Sequence, residues 1–230
     1  MLYNRINDSI DTKVIGRRFP QVERVIIPTQ WDAPEFIESY LFKMAPSDVL
    51  LPTPVLYKSS KVTDLISSST VGLSHSLLIS NRLKKLLERN KLYGIQFFSV
   101  KVHHKEKEYS YWILHPYDFY YKQMDFEKSL IGYYQGLTPK NLVKRIIPKN
   151  DLEFENEIKA YDKNCASANY DAKNLQIGVL EFKESYSVDF FCIRLTLGGV
   201  GFFVSEKLKN EIENAGCTGM VFTSPNDVYP

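Results

Sequence analysis

The chain contains one stretch twice: residues 80–97 read SNRLKKLLERNKLYGIQF, and residues 205–222 read SEKLKNEIENAGCTGMVF. Six of these eighteen aligned positions are identical, and an apolar pair precedes each copy. Serine is a favoured helix N-cap, apolar residues four apart share one helix face, and glycine suits the turn after a helix. Each copy therefore predicts the end of a strand, a short amphipathic helix, a turn and another strand.

A single serine-capped helix is common in proteins and would indicate little. Two copies with equal internal spacing indicate a structural duplication instead. Two units are too few for a solenoid, which needs several stacked repeats. We therefore predict two related strand-helix-strand units, at residues 78–98 and 203–223, within one domain. The pattern is architectural and specifies no chemistry.

The composition predicts a folded chain with a substantial core. Of the 230 residues, 44% are hydrophobic and 13% are aromatic, which argues against disorder. No flexible linker divides the sequence, so we predict a single domain over residues 1–230. A proline-rich N-terminal extension, residues 1–55, is expected to pack on a body formed by residues 56–230.

The order of apolar runs predicts the fold class. Runs at residues 95–102, 109–114, 175–182 and 188–197 are rich in β-branched and aromatic residues, as strands are. Strands adjoin one another more often than they alternate with helices. We predict an α+β fold, mainly antiparallel sheet with the two related units packed on it.

Charge and cysteine usage favour a cytoplasmic protein without a membrane or nucleic-acid partner. The net charge is only +2, and the three cysteines are odd in number and widely spaced, so no disulfide framework is implied. The first twenty residues lack the apolar segment of a signal peptide. Charge is unevenly spread: residues 82–149 sum to +8, and residues 150–190 sum to −5.

No catalytic, metal or cofactor motif is present. The glycines at 198–201 lack the spacing of a phosphate-binding loop, and the four histidines lack metal-ligand spacing. No GxSxG elbow marks a nucleophile. We expect no enzyme activity, no cofactor and no metal. The alternative is a hydrolase or transferase with an unmarked site formed by His75, His115 and Asp118, and a third possibility is an adaptor that pairs through exposed aromatics.

Several loose motifs, taken in their order along the chain, carry a family resemblance. They are KVTDLIS at 61–67, Ile79-Ser with Leu83-Lys84, QFFSV at 96–100, YWIL at 111–114, Met124-Asp125-Phe126 with Ser129, FFVSE at 202–206 and Gly219 with Val221-Phe222. In this order they resemble the eleventh-numbered immunity family of bacterial polymorphic toxin systems, formerly a domain of unknown function. The resemblance covers about residues 55–225.

The resemblance implies an immunity protein that binds a cognate protein toxin and neutralises it without catalysis. Family members carry no catalytic residues, so none is assigned here. The residues that match the family motifs are expected to determine the fold: Gly94, Trp112, Asp125, Ser129, Ser205 and Gly219.

An acidic surface is the candidate for toxin contact. Tight toxin inhibitors often present acidic surfaces to basic clefts, where opposite charge speeds encounter. The acidic stretch 151–171 therefore supplies the hypothesis, with the contact residues Glu153, Glu155, Glu157 and Asp162. The alternative is a solvated loop without a partner. The toxin activity that is blocked and the oligomeric state stay open.

Overall fold

The computed structural model describes residues 3–136, 141–165, 173–184 and 188–227. Within these ranges the helices are α1 (Thr12–Ile15), α2 (Asn81–Glu88), α3 (Asp151–Cys165) and α4 (Glu206–Asn214). The strands are β1 (Tyr3–Asp8), β2 (Val22–Ile26), β3 (Thr53–Leu56), β4 (Leu65–Ile66), β5 (Leu77–Ser80), β6 (Ile95–His104), β7 (Lys107–Pro116), β8 (Leu130–Tyr134), β9 (Leu142–Ile146), β10 (Asn174–Val179), β11 (Phe190–Thr196), β12 (Gly199–Ser205) and β13 (Met220–Thr223).

These strands form three sheets that are almost wholly antiparallel. One sheet has six strands in the order β2-β3-β6-β7-β5-β4, one has four in the order β11-β12-β1-β13, and one has three in the order β10-β8-β9. The β3–β6 pair is parallel. The predicted α+β class with mainly antiparallel sheet is confirmed.

Both copies of the repeated stretch form a strand, a helix and a strand, and their correspondence extends beyond the stretch. In the first unit β4 pairs with β5 so that Leu65 faces Ile79, and in the second unit Phe190 of β11 faces Val204 of β12. Phe190 and Val204 lie 125 positions after Leu65 and Ile79, respectively, so the two pairs are equivalent. The four strands β4-β5-β7-β6 thus correspond to β11-β12-β1-β13, with a helix in each unit.

The N-terminal strand completes the second unit, although it lies at the other end of the chain. Ser80 of the first unit pairs with Tyr111 on β7, and Ser205 of the second unit pairs with Tyr3 on β1. The Tyr111 hydroxyl donates to Thr63 O at 2.5 Å, and the Tyr3 hydroxyl donates to the equivalent Val188 O at 2.9 Å. Residues 3–8 are therefore an integral strand of the four-stranded sheet.

Helices α2 and α4 begin with the same arrangement of three residues. Ser80 Oγ accepts from Leu83 N at 3.1 Å, and Ser205 Oγ accepts from Leu208 N at 3.1 Å, as helix N-caps do. Each serine hydroxyl donates to an aspartate sixteen residues earlier: Ser80 to Asp64 at 2.7 Å, and Ser205 to Asp189 at 2.9 Å. The repeated stretch begins at the serines, so this aspartate pair lies outside it.

The two units hold each other reciprocally. Asp64 Oδ2 of the first unit accepts from Thr218 N of the second at 2.9 Å, and Asp189 Oδ2 accepts from Lys91 N of the first at 3.1 Å. The exchange is mutual but not strictly equivalent, since the position that corresponds to Thr218 is Tyr93, two residues after Lys91. Each carboxylate joins the start of its own helix to the segment after the other helix.

Two hydrophobic cores lie on opposite faces of the six-stranded sheet. The larger core buries the repeated apolar positions of both helices, Leu83 with Leu87 and Leu208 with Ile212. The smaller core lies beneath the N-terminal segment and includes Phe36, Leu56 and Val102. Strand β7 contributes to both cores, since Leu114 belongs to the larger one and Ile113 to the smaller.

The equivalent glycines Gly94 and Gly219 permit close backbone contact between elements. Both have a positive φ, 68° and 93°, which glycine adopts without strain. A Cβ at Gly94 would lie 2.1 Å from Asp118 O, and one at Gly219 would lie 2.0 Å from Leu65 O. Any larger residue at either position would push the strand after the helix away from its neighbour.

Candidate functional site

Helix α3 is the acidic segment of the sequence, and it packs by one apolar face. Asn150 caps the helix by accepting from Glu153 N at 2.9 Å, and Glu153 in turn accepts from Lys149 N at 2.8 Å. Phe154 and Ile158, four residues apart, are buried in the larger core. Phe154 contacts the rings of Tyr121 and Phe126 edge to face. Because Phe154 and Ile158 face the core, the carboxylates next to them lie at the edges of the buried helix face.

The four predicted toxin-contact residues have different environments. Glu157 is half-buried and accepts from the Tyr133 hydroxyl at 2.7 Å. Asp162 receives two hydrogen bonds from Arg194, at 2.8 and 2.9 Å. Glu153 is exposed and caps its own helix, whereas Glu155 lies at the mouth of a cavity. Two of the four are therefore engaged in bonds to the sheets, and residues 166–171 of the acidic stretch lie outside the described residues.

A cavity of about 410 Å³ opens between α3, the segment 41–43, the loop 117–121 and strand β11. Arg194 projects into it with its guanidinium 4.2 Å above the Phe42 ring, a cation–π contact. Phe42 has φ 61°, and Leu195, next to Arg194, has φ 64°. Bulky residues rarely adopt this left-handed conformation, and such strain clusters at functional sites.

Polar groups inside this cavity are incompletely bonded. Arg194 Nε and the Tyr121 hydroxyl are buried, and neither has a hydrogen-bond partner of ordinary geometry among the described residues. Burial raises the pKa of Tyr121, so its phenol is neutral and available as a donor at physiological pH. The cavity thus combines the Arg194 guanidinium, the Tyr121 phenol and the Glu155 carboxylate.

Strand β9, beside the start of α3, exposes apolar side chains. It pairs on one side only, with β8, and its other edge is free of strand partners in the described part of the chain. Leu142 and Val143 are 39% and 45% exposed, and Ile147 and Leu152 are 56% and 63% exposed. An exposed apolar edge strand is a ready site for pairing with another chain.

The three residues of the catalytic alternative form no hydrogen-bonded group. His115 is buried and its Nε2 lies 3.0 Å from Lys43 O, while Asp118 accepts from the Tyr93 hydroxyl at 2.7 Å. Burial lowers the pKa of His115 and of His75, so both imidazoles are neutral at pH 7. His75 packs against the Phe42 ring. No hydrogen bond among the described residues joins any two of these three side chains.

The residues expected to determine the fold lie in structural positions. Ser205, like Gly94 and Gly219, belongs to the duplicated units, and Trp112 lies under the Lys84 ammonium, 4.2 Å from the ring centre. Asp125 Oδ1 accepts from Lys128 N at 3.1 Å. Ser129 is fully buried and its hydroxyl accepts from Glu181 N at 3.0 Å. These contacts fix turns and sheet ends, and none lies in the cavity.

A scan against models of protein families finds no match, and a search of curated proteins finds none either. Within the described ranges, no helix has the length and apolar character needed to cross a bilayer. The same residues contain no group of three or more His, Cys, Asp or Glu side chains placed to hold a metal ion.

Two features of this site, the Arg194 pairing and strand β9, could not be predicted from the sequence. Arg194 lies within an apolar strand, and its pairing with Asp162 joins positions 32 residues apart that share no motif. Strand β9 reads as a mixed basic and apolar stretch after turn residues, so it was not predicted as a strand. The run LVKRII at 142–147 places an apolar pair on each side of Lys144-Arg145, which is not the period-two pattern of a half-buried strand.

Proposed function

We propose that this chain is a binding protein that neutralises a bacterial protein toxin by non-covalent contact, in the manner of an immunity protein. The observation that carries the proposal is the concentration of exposed apolar residues along the chain from β9 to the start of α3. Four of the eleven exposed large hydrophobic residues in the described chain fall between residues 142 and 152. The choice of a toxin as the partner is supported by the motif resemblance, which covers about residues 55–225.

The surface formed by β9 and α3, called here the β9–α3 surface, consists of Leu142, Val143, Ile147, Leu152 and Glu155. The unpaired backbone of β9 suits the addition of a strand from a partner, a common mode of protein recognition. Apolar side chains beside that edge supply area to bury on association. The carboxylates of α3 form its rim, where charge affects the rate of encounter more than the final affinity.

The proposal assigns different roles to the four acidic residues. Glu155 has no hydrogen bond within the described residues and is free to meet a partner. Glu157 and Asp162 hold α3 against the sheets through Tyr133 and Arg194, so their effect on binding is indirect. Glu153 supports the helix start. Inhibition therefore depends on the apolar residues and Glu155, with the remaining carboxylates in supporting positions.

Absence of catalysis is part of the proposal, as are cytoplasmic location and the absence of nucleic-acid and membrane partners. A general base needs a hydrogen-bonded nucleophile or water within about 3 Å. The candidates His115 and Asp118 are instead bonded to a backbone carbonyl and a tyrosine. This arrangement favours the binding function over the hydrolase or transferase alternative.

The test is co-expression with the toxin encoded beside this protein's gene, scored by cell survival. We expect the unmodified chain to protect, and the double variant Ile147→Asp, Leu152→Asp to lose protection. Ile26→Asp is the matched control, because Ile26 is an isoleucine on another strand and is 47% exposed. Failure of the unmodified chain to protect, or full protection by the double variant, would contradict the proposal.

A further inference from the structure

A second cavity lies where the two duplicated units meet, away from the β9–α3 surface. It measures about 320 Å³ and is bounded by the end of β1, by the serine-rich loop 68–77 of the first unit and by residues 198–202 of the second. The loop and the hairpin tip occupy equivalent positions in the two units. The second unit continues here as the β11–β12 hairpin, which is irregular between Ile193 and Thr196, whereas the first opens into this loop and leaves the space.

Asp8 lines this cavity and has no counter-charge. Asp8 is the last residue of β1, and no hydrogen bond or ion pair to its carboxylate occurs within the described residues. Burial raises the pKa of Asp8 to about 6, so at physiological pH a desolvated carboxylate is ionised without compensation. Asp8 is half-buried, and a partly desolvated carboxylate without a counter-charge is a favourable partner for a cationic ligand.

The other polar groups of the cavity are serine hydroxyls. Ser74 and Ser76 form no side-chain hydrogen bond in the described part of the chain, so both are free to serve a ligand. Arg5 is the other charged side chain in the lining, and its Nη2 donates to Leu197 O at 2.7 Å. No hydrogen bond or ion pair joins Arg5 to Asp8 among the described residues.

Aromatic and apolar groups form the remaining wall. Phe19, half-exposed, and Phe202, buried, line the cavity from opposite segments of the chain. Aromatic faces attract organic cations and also pack against alkyl groups. A neutral ligand would leave the Asp8 charge unpaired, and a metal ion would find only one charged oxygen ligand here.

We propose that this cavity binds a small organic cation, an alkylguanidinium or alkylammonium. The cationic head pairs with the Asp8 carboxylate and donates to the hydroxyls of Ser74 and Ser76. The alkyl stem lies against Phe19 and Phe202. This site is independent of the toxin-binding surface, so either proposal can fail without the other.

Titration of the purified full chain with n-butylguanidinium, followed by calorimetry at pH 7.5, tests this site. We expect binding with a dissociation constant of about 1 mM, in keeping with the size of the ligand. n-Butylurea, the neutral analogue of the same shape, should not bind. Equal binding of the two compounds, or no heat up to about 20 mM, would overturn the proposal.

Variants separate the Asp8 pairing from general effects. Asp8→Asn should weaken butylguanidinium binding at least about tenfold, since a charge-assisted hydrogen bond is lost. Asp48→Asn, at an exposed aspartate outside the cavity, should leave it unchanged. Ser76→Leu fills the cavity and should also reduce binding. Unchanged affinity in both Asp8→Asn and Ser76→Leu would contradict the assignment.

The pH dependence supplies a further check. Butylguanidinium stays charged throughout the accessible range, and Arg5, the other charged lining group, does not titrate there. Affinity should therefore fall as pH is lowered from 7.5 to 5, because Asp8 gains a proton near pH 6. An affinity that is constant over this range would show that the Asp8 charge takes no part.

Discussion

At the scale of single residues, Asp8 also makes stability depend on pH. Its carboxyl has a pKa of about 6 in the folded chain and about 4 when unfolded, so ionisation favours the unfolded state. The free energy of unfolding should fall as pH rises from about 4 to 6 and stay level above. At pH 7.5, Asp8→Asn should be more stable than the parent by at most about 3 kcal/mol.

Urea denaturation at pH 7.5 and at pH 3.5 measures this effect. The gain should be present at the higher pH and absent at the lower one, where Asp8 is protonated in both states. Asp48→Asn provides the control, since its carboxylate is exposed. A gain of equal size at both pH values would mean that ionisation of Asp8 is not its cause.

The helix-capping serines belong to the same scale. Each hydroxyl accepts from a helix amide and donates to a buried aspartate, so its removal leaves that amide without its acceptor and takes one hydrogen bond from the aspartate. We expect Ser80→Ala and Ser205→Ala each to lower the free energy of unfolding by about 2 kcal/mol. Chemical denaturation should show little change for Ser47→Ala, at an exposed serine. Similar stability for all three variants would contradict the shared capping role.

The Asp64 side chain adds a pH effect of opposite sign to that of Asp8. Burial tends to raise its pKa, but hydrogen bonds from Arg82, Ser80 and Thr218 outweigh burial, and the net pKa lies below its ordinary value. Its contribution to stability is therefore present above the pKa of an unfolded aspartate and is lost as pH falls through the folded value. Asp64→Asn should cost stability at pH 7 and progressively less towards pH 2.

At the scale of elements, the attachment of α3 is the feature that local sequence could not specify. Helix α3 occupies most of the acidic stretch, but the partners of its carboxylates are distant in sequence. Tyr133 and Arg194 reach Glu157 and Asp162 from β8 and β11. The pairing of a polar helix with an arginine far away in the sequence produces no periodic pattern. The acidic stretch alone therefore predicts an exposed surface.

The Asp162–Arg194 pair should control local opening of α3 more than global stability. Asp162 is 44% exposed on its side chain, and partly exposed ion pairs contribute little to the overall free energy. We expect Asp162→Asn to speed amide hydrogen exchange across the C-terminal half of α3 while global stability changes by less than about 1 kcal/mol. Lys163→Gln, on the exposed side of the helix, is the control. Unchanged exchange in Asp162→Asn would contradict this role.

Strand β1 shows a second limit of local sequence. Its residues alternate only weakly in polarity, because Asn4, Arg5 and Asn7 are held by specific bonds in the sheet. The repeat at 80–97 was visible because its serine, leucine and glycine positions obey local helix rules. Strand β1, which completes the second unit, follows no such local rule. Its position depends on pairing with residues near the other terminus.

At the scale of the whole molecule, the chain contains two related units that contact each other. Strand β1, near the N-terminus, completes the second unit, whose other strands lie near the C-terminus. Deleting residues 1–10 removes β1 from between β12 and β13, so we expect loss of cooperative unfolding. A circular permutant that starts at residue 11 and joins residue 227 to residue 3 should fold, since its new hairpin repeats the β6–β7 connection. Thermal unfolding with circular dichroism compares the two. A deletion variant as stable as the full chain would contradict this arrangement.

Hydrogen exchange of the full chain, measured with and without the protein that the proposal takes to be its toxin, tests most directly whether the β9–α3 surface is the binding surface. We expect slower exchange in the complex at residues 142–158, which include the free edge of β9 and the start of α3. The α2 and α4 segments should exchange at the same rate in both states. Protection confined to α2 and α4, or none in the presence of saturating toxin, would contradict the binding function proposed for this surface.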